Sequence, residues 1–344
     1  MSTAVVILNW NGSRMLRQFL PSVVRYSDDA RVIVADNAST DDSVDLLRRE
    51  FPEVGQISLD ANYGFAEGYN RALAQVEADY VVLLNSDVEV TPGWLRPLTG
   101  YLAAHPEAAA CQPKLLSYRR KHEFEYAGAA GGYIDAYGYP FCRGRLMGMV
   151  EEDHGQYDTV APVFWATGDA LCIRLADYRQ VGGLDGRFFA HMEEIDLCWR
   201  LGARGRRLAC VPQSVVYHVG GATLQKENPR KTYLNFRNNL LMLYKNLPAA
   251  RLRPVMRVRA CLDYLAALKF LLSGQWPNAR AVWQARRDYH RLLPDFRADR
   301  QANLQASVTD APEGFCSFSL LFRYYVKRIR RFSSFSTTDA HGFI

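Results

Sequence analysis

The sequence predicts an α/β fold with a mostly parallel central sheet flanked by helices. The first observation is a series of short β-rich runs in the amino-terminal third, at residues 4–8, 31–35, 55–59 and 80–84. The second is that apolar residues recur at helical spacing between these runs. Strands and helices that alternate in this way form βαβ units, whose crossovers join parallel strands.

Length and composition fit an ordinary globular protein with one large core or two modest ones. The chain has 344 residues, of which 49% are hydrophobic and 23% charged. The most apolar segment, residues 261–272, contains Asp263 and Lys269, so no membrane-spanning helix is expected. The first strand begins without a preceding basic and apolar leader, so no signal peptide is expected. The seven cysteines are odd in number and lack a CxxC motif, which predicts reduced thiols in a cytoplasmic protein.

Positive charge is concentrated at the carboxyl end. Residues 251–344 contain 16 Lys and Arg against 7 Asp and Glu. Leu, Trp, Tyr and Arg recur there at helical spacing, and "FRYYVKRIRR" near 322–331 has the same character. This pattern favours peripheral contact with an anionic membrane. A helical cap packed on the rest of the chain or a dimerising surface is the alternative, and no nucleic-acid-binding module is present.

Small polar residues follow each of the four early strands. They are Asn9 and Asn11, Asp36, Asn62 and Gly64, and Asn85 and Asp87. Such residues are common turn formers. Ligands of parallel α/β sheets, however, bind at the carboxyl ends of the strands, so the recurrence predicts a binding site at that rim.

The later part of the chain is predicted less regularly. Residues 117–160 are rich in Gly, Tyr and Pro and predict a long loop or small hairpin over the site. A strand is expected near 170–174, a helix near 193–204 and a strand near 207–217, followed by a helical, basic region beyond residue 228.

Taken in order, several segments resemble the inverting family 2 glycosyltransferases of the GT-A (nucleotide-diphospho-sugar transferase) fold, particularly their rhamnosyltransferase-like bacterial branch. The segments are "VVILNWNG", "VIVADNASTDDS", "NYGFAEGYNRAL", "LLNSDVEV", "TGDALCIR", "HMEEIDLCWRL", "VVYHVGG" and "YLNFRNNLLML". The resemblance covers roughly residues 3–245. It implies a GT-A domain over residues 1–245 and a basic helical region over 246–344.

The resemblance also implies a binding site for a nucleotide-sugar. Asp36 would accept the imide N–H of uracil or thymine, with Asn9 and Asn11 lining the same pocket. Capping of the helix that begins near Asp41 is a second role open to Asp36. Asn62, Gly64 and Asn70 surround a predicted helix start, which suits phosphate or sugar hydroxyls.

The segment "NSD" at residues 85–87 resembles the family's DxD motif with Asn85 in place of the first Asp. Asp87 would bind Mn²⁺ or Mg²⁺ with His218 as a further ligand, and Asn85 and Ser86 would help to hold the metal or the donor. These hard cations prefer oxygen ligands, while imidazole suits Mn²⁺ better than Mg²⁺. A turn at 85–87 and a core packing role for His218 are the alternatives.

The pair Glu193–Glu194 stands where the family has its general base. The resemblance assigns the base to Glu194, with Glu193 as second choice. On the residues alone, acids at a helix start also stabilise the helix dipole. Arg237, in the family's RN pair, would face the diphosphate; a surface position on a helix is its alternative. Asp196 and Arg200 are expected to form a structural ion pair.

The expected function is metal-dependent, inverting transfer of a sugar, such as rhamnose, from a UDP- or dTDP-sugar to a cell-surface glycan or lipid-linked acceptor. The expected location is the cytoplasm, with peripheral attachment to the inner face of the cytoplasmic membrane through residues 251–344. A sugar nucleotidyltransferase is one alternative, although "NWNGSRM" is a poor version of its basic, glycine-rich loop. A non-catalytic glycan- or membrane-binding protein on the same scaffold is another, favoured by Asn85.

Overall fold

The computed structural model describes residues 1–27, 30–220 and 228–335. The strands are β1 (Thr3–Asn9), β2 (Ala30–Asp36), β3 (Gly55–Ser58), β4 (Tyr80–Leu84), β5 (Val88–Val90), β6 (Ala108–Ser117), β7 (Gly132–Ile134), β8 (Pro140–Cys142), β9 (Arg145–Leu146), β10 (Met149–Val150), β11 (Ala161–Pro162), β12 (Ala170–Arg174) and β13 (Arg207–His218). The α-helices are α1 (Ser13–Tyr26), α2 (Ser43–Glu50), α3 (Gly64–Leu73), α4 (Leu95–Ala104), α5 (Leu175–Gln180), α6 (Glu193–Ala203), α7 (Pro229–Asn246), α8 (Ala249–Leu272), α9 (Trp276–Leu292) and α10 (Arg297–Ala306).

The central sheet is mixed, with the strand order β11-β13-β6-β12-β4-β1-β2-β3 and β5 paired to β13. The four early strands are parallel to one another. β12 is antiparallel to both of its neighbours, and β13 is parallel to β6. The predicted α/β class with a central sheet and flanking helices is confirmed, and the predicted parallel order holds in the β3-β2-β1-β4 half.

Hydrophobic periodicity explains how these elements pack. α1 buries Leu16, Phe19, Leu20 and Val23, which recur at helical spacing and face the sheet. β4 is apolar and buried along its whole length, as expected for a central strand covered on both faces. The later elements also lie close to their predicted positions, with β12 at 170–174, α6 at 193–203 and β13 at 207–218.

Residues 117–160 form more structure than the predicted loop or hairpin. Four short antiparallel strands, β7 to β10, build a small second sheet. The carboxyl-terminal segment covers it, since Cys316 donates its amide to the carbonyl of Ile134 at 2.8 Å. Tyr133, Phe141 and Leu320 belong to the hydrophobic cluster between the two parts. Sequence periodicity missed these strands because each has only two or three residues.

The predicted helical region beyond residue 228 contains α7 to α10 as far as residue 306, whereas residues 307–335 are largely irregular apart from a π-helical turn at Phe322–Val326. Lys245, near the end of α7, forms buried ion pairs with Asp185 and Asp196 at 2.7 and 2.8 Å. Asp196 also pairs with Arg200, as predicted. Within the described ranges, none of the helices combines the length and hydrophobicity needed to cross a bilayer. The division of the chain at residue 245 stays a prediction.

Candidate active site

Strand register brings the polar residues that follow the strands to one rim of the sheet. Asn9 at the end of β1 lies opposite Asp36 at the end of β2. Leu84, which ends β4 just before Asn85, is paired with Ala170 at the start of β12. Because β12 runs antiparallel, its amino end reaches the rim where the parallel strands end. Residues from two distant parts of the chain therefore meet at this edge.

The pocket predicted for the nucleotide base contains a buried carboxylate held by hydrogen bonds. Asp36 accepts the amide N–H of Ser39 at 2.9 Å and the side-chain amide of Asn9 at 3.1 Å. These bonds fix the orientation of the carboxylate. They also tie Asp36 to the loop before α2. Asp36 does not cap this helix, whose N-cap residue is Asp42, so the capping alternative was wrong.

Asn9 and Asn11 differ in what their side chains offer. Asn11 adopts φ 50° and its carbonyl oxygen accepts the backbone amide of Thr40 at 2.7 Å, so this side chain stabilises the loop. Oδ1 of Asn9 is buried and has no hydrogen-bond donor among the described residues. A Cβ on Gly12 would lie 2.4 Å from this oxygen, so glycine at this position keeps the acceptor from being blocked.

The turn between β3 and α3 is braced by amide side chains. Oδ1 of Asn62 accepts the backbone amide of Gly64 at 2.9 Å and the side-chain amide of Asn37 at 3.1 Å. Gly64 has φ 74°, and a Cβ there would lie 2.6 Å from the ring of Phe189. The close approach explains why this position needs glycine and places the start of α3 against the loop before α6.

Asn70 serves the packing of the same loop. Its side chain donates to the carbonyl of Leu184 at 2.7 Å and accepts from the hydroxyl of Tyr178 at 2.6 Å. Both the amide group and the oxygen of the Asn70 side chain are therefore already hydrogen-bonded within the protein. The structure therefore places Asn70 in a structural contact, and its predicted sugar-binding role stays a prediction.

An acidic cluster surrounds His218 at the end of β13. Nε2 of His218 lies 3.1 Å from Oδ1 of Asp87. On its other side, Nδ1 lies 3.4 Å from Oε1 of Glu125 and 3.4 Å from Oδ2 of Asp169. All four side chains are 14% exposed or less. We call Asp87, Glu125, Asp169 and His218 the acidic cluster.

Mutual influence shifts the pKa values of these groups. Burial opposes a charge on His218, but the carboxylates around it, Asp169 above all, raise its pKa well above the usual range. Burial also works against ionisation of Asp87 and Glu125, yet the hydrogen bonds and charge of His218 lower both pKa values. Burial raises the pKa of Asp169 to about 6, and the negative charges of Glu125 and Asp87 contribute. Within the cluster, one imidazolium faces three carboxylates.

The chemistry of these donors fits a divalent cation. Glu125, Asp169 and His218 each offer a ligand atom, and these atoms lie within 4.8 Å of one another. Asp87 faces the other ring nitrogen, Nε2. Nδ1 of His218 is buried and has no well-formed hydrogen bond among the described residues. Carboxylate oxygens with one imidazole nitrogen suit Mn²⁺, and the oxygens also suit Mg²⁺. The excess of buried negative charge is what a bound cation would neutralise.

Asn85 and Ser86 lie beside this cluster. The side-chain amide of Asn85 donates to Oδ1 of Asp169 at 2.7 Å, and its backbone amide donates to the carbonyl of the same residue at 3.0 Å. Ser86 is partly exposed near Gly12. Asn85 thus faces a carboxylate on β12 instead of adding one, and Asp169 supplies negative charge next to the position where the DxD pattern has its first Asp.

Glu193 and Glu194 begin α6 close to the cluster. Cβ of Glu194 is near Gly168, since a Cβ built on that glycine would be 3.6 Å away. Burial and the charge of Asp169 raise the pKa of Glu194 to about 7. Burial and the neighbouring Glu194 raise the pKa of Glu193 well above its usual range. Glu194 is partly exposed whereas Glu193 is buried with one oxygen unpartnered among the described residues, so Glu194 is the more accessible to a substrate.

The loop that leads into α6 has strained backbone. Phe189, His191 and Met192 all have φ near 70°, a conformation costly for residues with side chains. Asn238 holds the loop by donating to the carbonyls of Phe188, Ala190 and His191 at 2.8 to 2.9 Å. The strain and its support fix the direction in which Glu193 and Glu194 leave the loop.

Arg237 supports the same loop. Its guanidinium donates to the carbonyls of Arg187 and Phe188, both at 3.1 Å. Arg237 is therefore not an isolated surface residue, since it contacts the loop before α6. Its role towards the diphosphate stays a prediction.

Glu125 and Asp169 were not singled out from the sequence. Glu125 lies in the segment 117–160, where no regular pattern located it. It reaches the rim because its amide bonds to the carbonyl of Leu115 in β6. Asp169 stands in "TGDALCIR", directly before the strand expected at 170–174. An acidic residue directly before a predicted strand is visible in the sequence. Whether it reaches the rim of the site depends on the antiparallel direction of β12, which the sequence does not reveal.

Comparison with known proteins agrees with this architecture. Residues 4–143 match the sequence model of the family described as Glycosyl transferase family 2. The N-acetylglucosaminyl-diphospho-decaprenol L-rhamnosyltransferase of Mycobacterium tuberculosis is 29% identical over 233 residues, covering 62% of this chain and 75% of its own. Rhamnosyltransferase WbbL of Escherichia coli K12 is 25% identical over 223 residues, covering 62% and 82%.

A solved structure shows the same fold at low identity. The crystal structure of GalNAc-T7 with UDP, GalNAc and Mn²⁺ matches with a TM-score of 0.55 at 15% identity, over 72% of this chain and 48% of that one. Residues 4–143 therefore carry a family 2 glycosyltransferase domain, and the chain is similar to the rhamnosyltransferases of that family.

Proposed function

We propose that this protein is a metal-dependent inverting glycosyltransferase that uses a UDP- or dTDP-sugar, with Glu194 as general base. The observation that carries the proposal is the acidic cluster next to Glu194 at the rim of the sheet. Three carboxylates crowd one histidine there, and a carboxyl group with pKa about 7 lies beside them. A site for a cation and a site for a proton acceptor thus adjoin each other.

The donor base would lie against Asp36 and Asn9. The Asp36 carboxylate and Oδ1 of Asn9 are acceptors, so they suit the N–H of uracil or thymine better than the unprotonated N3 of cytosine. Hydrogen bonds from Ser39 and Asn9 hold the Asp36 carboxylate in place before any ligand arrives. The pocket is therefore preorganised for a pyrimidine nucleotide.

Asp87 and His218 would hold Mn²⁺ or Mg²⁺, with Asp169 and Glu125 as ligands or as the groups that orient His218. When bound, such an ion neutralises charge that develops on the departing diphosphate. Asn85 fixes Asp169 through its side-chain amide. Arg237 would add a cation near the diphosphate if it leaves the carbonyls of residues 187 and 188.

Glu194 would take the proton from the acceptor hydroxyl as that oxygen attacks the anomeric carbon. The new carbon–oxygen bond forms on the face opposite the bond to the diphosphate, which breaks, so one displacement inverts the anomeric configuration. A pKa about 7 suits this role because about half of the group is ionised at neutral pH and the carboxylate is basic enough to accept a proton. Glu193, buried and protonated more readily, is the second choice.

Rhamnose is the sugar favoured by the relatives, whose names describe rhamnosyltransferases. The mycobacterial relative is named for a lipid-linked acceptor, N-acetylglucosaminyl-diphospho-decaprenol. By analogy, the acceptor here would be a lipid-linked or cell-surface glycan. Such an acceptor would place the protein at the inner face of the cytoplasmic membrane, with residues 251–344 as the region of contact.

The experiment is a thermal-shift panel of UDP-, dTDP-, GDP- and CDP-sugars, each with and without Mn²⁺. We expect the uracil and thymine donors to raise the melting temperature. The rise should be larger with Mn²⁺, because the cation neutralises the negative charge of the diphosphate. Transfer by the same sample to a lipid-linked acceptor would then be followed by mass spectrometry. A protein stabilised by none of the donors, with or without metal, would contradict the proposal and favour a non-catalytic binding role.

A further inference from the structure

An exposed apolar surface lies on the hairpin formed by α8 and α9. Of the large hydrophobic side chains that are exposed among the described residues, seven of sixteen lie between positions 264 and 283. We call these seven the hairpin patch: Tyr264, Leu265, Leu268, Leu271, Leu272, Trp276 and Trp283. Leu272 is 81% exposed and Trp276 69%. Concentrated apolar surface of this kind marks an interaction site.

The second half of α8 is hardly packed against the protein. From Cys261 to Leu272, Asp263 alone is buried. The segment reads "CLDYLAALKFLL", so nearly all of its apolar side chains stay partly or fully exposed. Burying such side chains stabilises a folded protein, so a surface that leaves this many of them in water indicates a binding partner.

Helical spacing aligns these residues into stripes. Trp276, Arg280, Trp283 and Arg287 follow one another at intervals of three or four along α9 and are all exposed. Indole and guanidinium groups therefore alternate along one face. This arrangement is typical of helices that lie in a membrane interface, where Trp occupies the boundary and Arg reaches the headgroups.

The charges around the patch are of one sign. The exposed charged residues of α8 and α9 are all basic: Arg253, Arg257, Lys269, Arg280, Arg287 and Arg291. The two acidic residues of these helices are buried and engaged, Asp263 with Arg286 at 2.6 Å and Asp288 with the hydroxyl of Tyr233 at 2.8 Å. The surface is thus complementary to an anionic partner.

The hairpin patch could be covered by a second copy of the chain or by an anionic lipid surface, and the charge distribution favours the lipid surface. A second copy of the chain docked on the same patch would bring its own basic residues against these ones. An interface of that kind is self-complementary, and the exposed side chains of α8 and α9 offer no acid to pair with the repeated cations. An anionic lipid surface provides both the apolar layer and the negative charge.

We infer that the α8–α9 hairpin docks the protein on an anionic lipid bilayer, with the hairpin patch in the headgroup boundary and the basic residues on the phosphates. The inference narrows the membrane contact of the proposed function to one hairpin. It does not rest on the catalytic assignments, because lipid binding is measured without donor, metal or acceptor. Failure of one proposal therefore leaves the other standing.

The test uses the full chain and vesicles of phosphatidylcholine alone or mixed with phosphatidylglycerol, in a flotation assay. Cys261 supplies a probe, since it is the exposed cysteine next to the patch and the other six are buried. An environment-sensitive fluorophore on Cys261 should shift to the blue with the anionic vesicles. Added salt should weaken the binding, because each basic residue near the surface contributes about fivefold in affinity.

Two double variants separate the apolar and the electrostatic contributions. Trp276→Ser with Trp283→Ser should weaken binding by about tenfold or more. Arg280→Glu with Arg287→Glu should weaken vesicle binding by at least about 25-fold. It should also remove the part of the salt dependence of binding that these two residues contribute. Matched controls are Arg48→Glu with Arg49→Glu, which are exposed on α2, and Met149→Ser with Val160→Ser, which are exposed outside the hairpin.

Circular dichroism and thermal unfolding establish that each variant is folded. Loss of flotation in both hairpin variants with normal flotation of both controls supports the inference. Absence of binding to either vesicle, or equal binding of hairpin and control variants, overturns it. A concentration-dependent dimer in sedimentation velocity that the Trp variant abolishes, without vesicle binding, assigns the patch to a second copy instead.

Discussion

The two sides of the candidate site satisfy their polar groups in opposite ways. On the nucleotide side, formed by Asn9, Asp36 and Asn62, neighbouring amides supply hydrogen bonds to the Asp36 carboxylate and to Oδ1 of Asn62. On the acid side, formed by the acidic cluster and Glu194, burial and the nearby carboxylates raise the pKa values of Asp169 and Glu194.

The contrast indicates what each side contributes to binding. The nucleotide side is held by hydrogen bonds without a ligand, as the proposed recognition of the donor base requires. The acid side holds buried negative charge that only a cation or protons relieve, so its repulsion is removed when metal binds.

Replacement of Glu194 by Gln should abolish transfer while the protein keeps its donor affinity. The amide has the same shape but cannot accept the proton of the acceptor hydroxyl, and general-base catalysis is worth about 10²- to 10⁴-fold. Transfer rate and donor affinity are measured on the same sample, by mass spectrometry and calorimetry. Glu193→Gln is the matched control, and a greater loss of rate in that variant would move the base to Glu193.

The rate of transfer should depend on the ionisation of Glu194. Burial and the charge of Asp169 raise its pKa to about 7, and a base acts only when deprotonated. At limiting substrate the rate should therefore fall about tenfold per pH unit below 7 and level off above it. A rate that stays constant between pH 5 and 8 would contradict the assignment.

The positions of the residues on the nucleotide side follow from the sequence more directly than those of Glu125 and Asp169 on the acid side, for a physical reason. Asn9, Asp36 and Asn62 follow consecutive parallel strands, so local pattern and the rule that ligands bind at the strand ends locate them. Glu125 and Asp169 reach the rim through a fold-back of the chain and through antiparallel β12, which periodicity does not reveal. The same holds for Arg237, whose contacts with residues 187 and 188 depend on how α7 packs.

Asp169→Asn should weaken Mn²⁺ binding without destabilising the fold. The oxygen that remains still accepts the amide of Asn85, but the ligand or orienting charge is lost, so Mn²⁺ affinity should fall about 10- to 100-fold. Calorimetric titration of Mn²⁺ measures this loss. Asp45→Asn, at an exposed position on α2, is the control and should bind Mn²⁺ like the unmodified protein.

The same variant should stabilise the metal-free fold at high pH. The pKa of Asp169 is about 6 in the folded protein and roughly 3.9 when unfolded. The folded state therefore holds the proton more tightly, and stability falls as pH rises from about 4 to about 6. The gain in melting temperature from Asp169→Asn should be present at pH 8 and small at pH 4. A loss of stability at pH 8 would show that repulsion between Asp169 and the neighbouring carboxylates does not destabilise the metal-free fold.

Asp36→Asn should give the smallest effect and change selectivity more than stability. The amide keeps one oxygen for the Ser39 amide but presents an N–H in place of the oxygen that accepts from Asn9 and would accept from the imide of uracil. UDP affinity should therefore fall about tenfold. CDP affinity should change less, because the unprotonated N3 of cytosine accepts a hydrogen bond and does not donate one. Calorimetry with UDP and CDP measures the ratio. If both nucleotides weaken equally, Asp36 acts through the loop before α2, and the nucleotide side is a structural element instead of the recognition surface.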